Sequence, residues 1–380
     1  MYRISLRSCE EYDVGQVKET LRQSVEDLGG FKPYLVPGEK VLLKVNLILA
    51  KEPSVAATTH PAFVQALVEL LTEYGVSVLI GDSPGGLFNE ETLRRNYRVT
   101  GMQDVAEKTG ASLNYNTGAR EIRNPDGKIL KQITQTDMLS GVDKVISVSK
   151  LKTHSMMTFT GAVKNLFGTV PGTKKAEYHF SMTSPETFAD ALIDICLAAK
   201  PVLSFMDGIV AMEGNGPSGG TPRKIGAVLA SASPFALDAV AASLIGLSVP
   251  QVPTLKQAGK RGLGPASAEE VEIVGESPEA FRVSDFRMPD HIEPNLARNY
   301  GRLFESFSKK LRPKVHFDTE KCIRCGQCMH NCPAKAISME KGFPKADYRT
   351  CIRCYCCQEL CPKNAITIRE SRIMKIVNRL

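Results

Sequence analysis

From the N-terminus to about residue 290, short runs of Val, Ile and Leu alternate with stretches whose apolar residues recur every three or four positions. The first pattern predicts buried strands and the second predicts amphipathic helices. Val41–Leu47 is expected as a buried strand. Pro61–Tyr74 has helical spacing, with Pro61 where the first helical residue belongs and Gly75 just past the end. Val76–Ile80 then reads as a strand that ends in the turn Gly81-Asp82-Ser83-Pro84-Gly85-Gly86, completing one βαβ unit. Asn124-Pro125-Asp126-Gly127 predicts a hairpin turn. Val145–Val148, Val202–Phe205 and Ile225–Ala230 read as strands, and Thr187–Ala199 and Phe235–Ile245 as helices. The longest apolar run, Ile225 to Val249, is broken by Pro234 and Asp238. It fits a buried strand followed by a buried helix better than a membrane span. The alternation predicts an α/β fold with a mostly parallel sheet.

The pattern changes after residue 290. Pro289, Pro294 and Pro313 fall among Arg298, Arg302, Lys309, Lys310 and Arg312. The expected organisation is an α/β domain over 1–290 and a connector over 291–315, helical in part at Asn295–Lys310. A small α+β domain over 316–380 follows. The final residues, Glu370–Leu380, alternate basic and apolar types and suggest a helix or strand packed on a neighbour, or a partner-binding tail.

The small domain holds the clearest chemistry. The pattern C-x2-C-x2-C-x3-C-P occurs twice, at Cys322, Cys325, Cys328, Cys332 and Pro333, and at Cys351, Cys354, Cys357, Cys361 and Pro362. Three closely spaced thiolates hold three irons of a [4Fe-4S] cube, and the fourth cysteine ligates the other cube. Cys322, Cys325, Cys328 and Cys361 are therefore assigned to one cluster, and Cys351, Cys354, Cys357 and Cys332 to the other. Structural zinc sites usually use two separated C-x2-C pairs, which these runs are not. Cys356 is extra and is expected to be a bystander close to a cluster. The repeat of about 29 residues, each copy ending in Pro then Ala-Ile, resembles the two halves of a dicluster ferredoxin.

Composition narrows the setting. With 380 residues, 43% hydrophobic and 23% charged, the chain reads as a globular protein of two or three domains. The opening Met-Tyr-Arg-Ile-Ser-Leu-Arg lacks the apolar core of a signal peptide. Nine of the 11 cysteines lie between residues 322 and 361. Both features predict a reducing, cytoplasmic location. The net charge of +7 is concentrated after residue 313, where 13 basic residues face 6 acidic ones and leave the rest balanced. That excess either offsets the negative clusters or forms a docking face for an acidic donor such as another ferredoxin. No nucleic-acid-binding motif is present.

In the first domain the chemistry gathers in Ser149-Lys150-Leu151-Lys152-Thr153-His154 and in Phe159-Thr160-Gly161-Ala162-Val163-Lys164-Asn165. A loop delivered by the Val145–Val148 strand would place these groups in the crevice beyond the strand ends. Lys150, Lys152 and Lys44 are candidates for binding an anionic substrate, and His154 and Lys164 are candidates for catalysis. Gly214-Asn215-Gly216-Pro217-Ser218-Gly219 fits G-x-G-x-x-G but precedes a strand, so it reads as a loop edging the crevice. Asp82, Asp207 and Glu213 fall at expected strand ends. His60 is placed to cap the helix at Pro61 or to face the crevice, His179 reads as an ordinary histidine, and Cys9 and Cys196 read as core.

Lys44-Val45-Asn46, Thr58-Thr59-His60-Pro61, Gly81-Asp82-Ser83, Lys150-Leu151-Lys152-Thr153-His154 and Gly161-Ala162-Val163-Lys164-Asn165-Leu166-Phe167-Gly168 resemble an uncharacterised prokaryotic domain family. That family is often fused to a dicluster ferredoxin, and the resemblance covers nearly the whole chain. A fainter similarity is to the nickel-pincer lactate racemases, through His154, Gly161, Lys164, Pro171-Gly172 and His179. It implies that Lys164 would anchor a pincer cofactor and that the histidines would be ligands or acid/base groups. Ala162, Asn165 and the Asn-Leu-Phe-Gly run depart from it, as does the ferredoxin module.

These readings predict an oxidoreductase of anaerobic metabolism. Low-potential electrons would enter from a ferredoxin-like or other redox partner, cross two [4Fe-4S] clusters and reach an anionic small molecule in the first domain. Two alternatives use the same parts. One is a non-catalytic electron-transfer subunit docking on a partner enzyme, and the other is a factor that matures a cofactor reductively.

Overall fold

The computed structural model describes residues 2–182, 184–289 and 313–369. The helical stretch expected at Asn295–Lys310 and the tail Glu370–Leu380 lie outside the described residues.

The first part is built on one sheet. Its strands are β1 (Tyr2–Ser8), β2 (Lys40–Lys44), β3 (Ser77–Gly81) and β4 (Ser112–Leu113). A separate antiparallel hairpin, β5 (Ala119–Arg123) with β6 (Gln132–Thr136), follows in the chain. The sheet then continues with β7 (Lys144–His154), β8 (Thr158–Thr160), β9 (Pro201–Glu213), β10 (Thr221–Ser231) and β11 (Val271–Gly275). The spatial order is β11-β1-β10-β9-β7-β2-β3-β4, with β8 beside β7. The run from β9 through β7, β2 and β3 to β4 is parallel, and β10 is antiparallel to both neighbours.

Helices cover both faces. On one side lie α1 (Val14–Asp27), α2 (Pro61–Tyr74), α3 (Glu90–Val99) and α4 (Met102–Thr109), packed on Leu43, Ile146, Val148 and Phe205. The short α5 (Ala162–Asn165), with α6 (Gly172–Ser181), follows β8. On the other side are α7 (Pro185–Ala199), α8 (Pro234–Leu244) and α9 (Pro253–Lys260). α8 packs on Leu6, Met206 and Leu229. Residues of opposite parity on β9, Phe205 and Met206, thus serve opposite cores, as period-two strands require.

Local signals explain the boundaries. Pro61 opens α2, His60 Nδ1 accepts from the Ala62 amide at 3.2 Å, and Gly75 closes the helix in the left-handed region. His60 is therefore a cap, and its ring stacks on Tyr12 with centroids 3.6 Å apart. The turn at Asn124–Gly127 lies between β5 and β6 as expected. Among the described residues no helix is long and apolar enough to cross a membrane.

The expected loop after Val148 is instead strand. β7 runs on to His154, paired with β9 as far as Lys152 and with β8 from Lys152 to His154. Cations at alternate buried positions obscure this in the sequence. Ile146 and Val148 fill the core, and the same parity continues into Lys150, Lys152 and His154, all at most 1% exposed.

The cysteine-rich part contains β12 (Lys314–Phe317), β13 (Ile337–Glu340), β14 (Phe343–Ala346) and β15 (Ile366–Arg369). They pair as β12 with β15 and β13 with β14, both antiparallel, flanking the short helices Gln327–His330 and Cys356–Glu359.

Candidate functional site

The cysteines sort into two rings. Cys322, Cys325, Cys328 and Cys361 surround one cavity, walled by Ile323, Pro344 and Ile366. Cys332, Cys351, Cys354 and Cys357 surround another, walled by Val315, Ile337 and Ile352. Each ring takes three cysteines from one copy of the motif and the last from the other. The backbone fits the same purpose. Arg324 and Arg353, Gly326 and Tyr355, and Lys335 and Asn364 all have positive φ at matching places in the repeat. The Ala336 amide donates to Cys332 Sγ at 3.3 Å, and the Ala365 amide to Cys361 Sγ at 3.2 Å. Amides turned toward cysteine sulfur suit thiolates that carry cluster charge. Among the described residues no three His, Cys, Asp or Glu side chains converge at the distances of a single metal ion. Each ring of four cysteines fits an iron–sulfur cube, whose thiolate ligands are spread over four irons.

The two parts of the chain meet across the loop between β9 and β10. Ser218 Oγ donates to the Glu359 carbonyl at 2.7 Å, and Gln358 Nε2 donates to the Asn215 carbonyl at 3.0 Å. Lys51 Nζ donates to the Pro362 carbonyl and to Asn364 Oδ1, both at 2.9 Å. The G-x-G-x-x-G segment is thus a docking loop for the cluster region. Gly216 is required there, because a Cβ would lie 2.1 Å from the Thr153 carbonyl oxygen.

Between the parts lies a cavity of about 600 Å³. One wall is formed by Lys152, Lys164, Asn165, Lys175 and His179, and the opposite wall by Cys325, Cys332, Cys356 and Glu359. It opens where β2, β3 and β7 end. β2 accompanies β7 only to Ser147 and β8 joins it only from Lys152, so a gap opens between them. This is the crevice position typical of parallel sheets.

The candidate residues separate into three groups. Lys44 lies beneath the cavity, ion-paired with Asp82 at 2.7 Å and hydrogen-bonded to Asn165 Oδ1 at 3.1 Å. Asn165 Nδ2 in turn donates to the Lys44 carbonyl at 2.8 Å and to Ser147 Oγ at 3.0 Å. Lys150 points elsewhere: its Nζ is 2.8 Å from Asp207 Oδ2 and 2.7 Å from the Tyr12 hydroxyl. Glu213 is paired with Arg287 at 2.7 Å. Lys152 and Lys164 line the cavity. Lys152 Nζ donates to Asn46 Oδ1 and to the Ala57 carbonyl, both at 2.6 Å. Lys164 lies over the Phe167 ring at 5.8 Å.

His154 stands behind the cavity wall. Its Nδ1 accepts from the Met156 and Met157 amides at 3.0 and 3.2 Å. That leaves the proton on Nε2, which is 3.1 Å from Glu359 Oε1 without hydrogen-bond alignment. Burial lowers His154 to about 4 and His179 to about 3, so both rings are neutral near pH 7. Burial pushes Glu359 upward, but the His154 imidazole and Lys164 hold it down at about 2.

Three cavity groups were not singled out from the sequence as a site. Lys175 donates to the Ser83 carbonyl, and burial lowers it to about 7. His179 is 4% exposed, and its Nδ1 has no hydrogen-bond partner among the described residues. Glu359 comes from the cluster region itself. Lys175 was hidden in an amphipathic helix, and Glu359 in the spacing between Cys357 and Cys361. Only the offset of ten residues from His154 to Lys164, with His179 beyond, marked part of the group. Cys356 is 6% exposed and borders the cavity, whereas Cys9 and Cys196 are core.

Residues 41–243 match a family described as a domain of unknown function, DUF362. The chain belongs to this family. Residues 314–362 match a 4Fe-4S dicluster domain, so the C-terminal part of this DUF362 protein binds iron–sulfur clusters of the electron-transfer type. The "Thylakoid-associated protein sll1697" of Synechocystis sp. (strain ATCC 27184 / PCC 6803 / Kazusa) is 32% identical over 77% of this chain and 89% of its own. Among solved structures, the lactate racemase apoprotein of Thermoanaerobacterium thermosaccharolyticum matches at a TM-score of 0.38 and 14% identity, covering 60% of this chain and 54% of that one. A Thermotoga maritima protein matches at a TM-score of 0.30 and 13% identity, covering 60% and 57%. Neither structural likeness bears on activity.

Proposed function

We propose that this DUF362 protein is an iron–sulfur oxidoreductase that reduces or oxidises an anionic substrate or cofactor in the cavity between its two parts. The observation that carries this reading is the pair of opposed walls. Lysines of the first part face Cys325 and Cys332 of the cluster rings across one space. Two [4Fe-4S] clusters, one per ring, would supply single electrons at the edge of that space.

The chain's own residues divide the remaining work. Lys152 and Lys164 attract and orient the anion. Lys164 faces the cavity directly and can hold a proton at Nζ for transfer, with its affinity for that proton lowered by burial. His154 acts through Glu359, whose Oε1 lies 3.1 Å from its Nε2. Lys44 supports Asp82 and Asn165 beneath the floor, and Lys150 holds Asp207 and Tyr12 at the side. Lys44 and Lys150 therefore serve the framework of the site.

The electron donor is proposed to be an acidic, ferredoxin-like protein that docks over the exposed Ile323 and Cys325, drawn by the basic excess of the C-terminal sequence. A reducing, cytoplasmic setting suits such a pair. The test uses full-length protein purified without oxygen and reduced chemically. It is challenged with anion-exchange fractions of a small-molecule cell extract while cluster absorbance is followed. Reoxidation by one fraction, lost in Lys164→Ala with iron content intact, is the expected result. Equal reoxidation by wild type and variant would sink the assignment.

A further inference from the structure

Resting on the cavity reading above, the charge arrangement allows its ligand to be narrowed. Lys152, Lys164 and Lys175 line the cavity from the first part and Lys335 from the cluster region, and among the described residues none of the four forms an ion pair with a carboxylate. The acidic groups that border it are otherwise engaged. Asp82 is matched by Lys44 at 2.7 Å, and Glu177 at the mouth by Lys174 at 2.8 Å. Glu359 alone remains to oppose these lysines. The cavity therefore holds more lysines than carboxylates to match them, and burial without an anion weakens the hold of Lys152, Lys164 and Lys175 on their protons.

A second feature points the same way. α6 is ten residues long and begins at the cavity, where Gly172 and Thr173 form part of the wall. Its N-cap residue is Pro171, and no side chain caps the helix. The Gly172 and Thr173 amides, ahead of the Lys174 and Lys175 amides that already donate to the Pro171 carbonyl, and the positive end of the helix dipole therefore lie at the same space. Gly172 lets this end sit close to the Pro84–Gly86 turn, because a Cβ would lie 2.3 Å from the Pro84 carbonyl oxygen and 2.6 Å from that of Gly86. One helical turn or two further on, Lys175 and His179 enter the same cavity. His179 is 4% exposed and its Nδ1 has no partner. His179 thus adds a buried imidazole with an unpaired nitrogen to the polar groups around this end of the cavity.

We infer that the cavity binds a doubly charged oxyanion, a phosphate monoester or a dicarboxylate, between the N-terminus of α6 and Lys152, Lys164 and Lys175. A singly charged carboxylate would leave more of these lysines unmatched. The rival use of the lysines is to balance the negative clusters across the cavity, and the experiment separates the two.

Calorimetry on the full-length, cluster-loaded protein at constant ionic strength would compare inorganic phosphate, malonate and acetate. The expected result is saturable binding of phosphate or malonate, with acetate at least about tenfold weaker. Which dianion binds more tightly distinguishes the phosphate ester from the dicarboxylate. Lys175→Gln should weaken the dianion at least about tenfold. So should Thr173→Asp, an exposed position where a new negative charge can be carried without disturbing the core. Acetate binding as tightly as the dianions overturns the charge assignment but leaves an anionic ligand in place. Binding unchanged in both variants overturns the location. No binding of any of the three anions, with a shifted cluster potential in Lys175→Gln, assigns the lysines to the clusters and overturns the cavity reading as well.

Discussion

Glu359 Oε1 of the cluster region lies 3.1 Å from His154 Nε2 at the end of β7. Each residue belongs to a different part of the chain, so the cavity is complete only when the parts are docked. Because His154 Nδ1 accepts two backbone amides, the ring presents Nε2–H to the carboxylate and is held in that tautomer. Glu359→Gln should keep cluster absorbance while slowing substrate-dependent reoxidation roughly 100-fold, because the carboxylate that helps Lys164 keep its proton is lost. His154→Ala should slow it less, because the carboxylate remains. Stopped-flow spectroscopy of the reduced proteins measures both, and wild-type rates would remove the pair from the proton path.

The cysteine partition has its own test. Cys361→Ser removes one ligand from the first ring, and protein isolated without oxygen should then lose roughly half its iron. Cys356→Ser should keep all of it, since Cys356 belongs to neither ring. Iron analysis with electron paramagnetic resonance distinguishes these outcomes. Iron loss in Cys356→Ser would mean that the ligand set is wrong.

Gly168 is where the floor of the cavity is most crowded. A Cβ there would lie 1.9 Å from Asp82 Oδ1 and 2.3 Å from Lys44 Cε. Both partners are buried, so the pair cannot separate into water. Gly168→Ala should destabilise the protein by about 3–5 kcal/mol, the range for a broken buried ion pair. Denaturant unfolding of the cluster-loaded protein reads this directly, and a change below about 1 kcal/mol would mean that the backbone shifts freely there.

Stability should also fall in a defined pH window. Asp238 on α8 is 1% exposed and accepts from the Ala162 and Val163 amides at 2.6 and 3.1 Å, holding the start of α5. Burial raises it from 3.8 to about 7 despite those bonds. The folded chain therefore binds more protons than the unfolded chain between about pH 4 and 7, and this group's contribution to stability declines as pH rises through that window. Above pH 7 both states are ionised and the contribution is level. Asp238→Asn should flatten that decline while lowering stability by about 1–3 kcal/mol, because its amide nitrogen cannot accept from a backbone N–H. Chemical denaturation at a series of pH values, wild type against variant, checks the difference in slope.

The alternation of apolar runs, Pro61 before a helix and Gly75 after it, and the spacing of eight cysteines were legible in one dimension because each is a local rule. A proline sets its own φ, a strand alternates every second residue, and a cube needs thiolates a fixed few residues apart. Even the exchange of Cys332 and Cys361 between rings follows from the repeat. The strand through Lys150–His154 was not legible, because buried lysines violate the local pattern and are tolerated only where Asp207, Asn46 and the Ala57 carbonyl await them. Which lysines face the cavity was likewise decided by tertiary structure. Lys44, Lys150, Lys152 and Lys164 look alike in sequence, yet the first two are neutralised by Asp82 and Asp207, carboxylates 38 and 57 residues away along the chain. Lys175 joins the site through the packing of α6 against Ser83, and Glu359 only because the cluster region docks against the β9–β10 loop. Charge partners and cavity walls depend on distance in space, and no local rule relates residues that far apart.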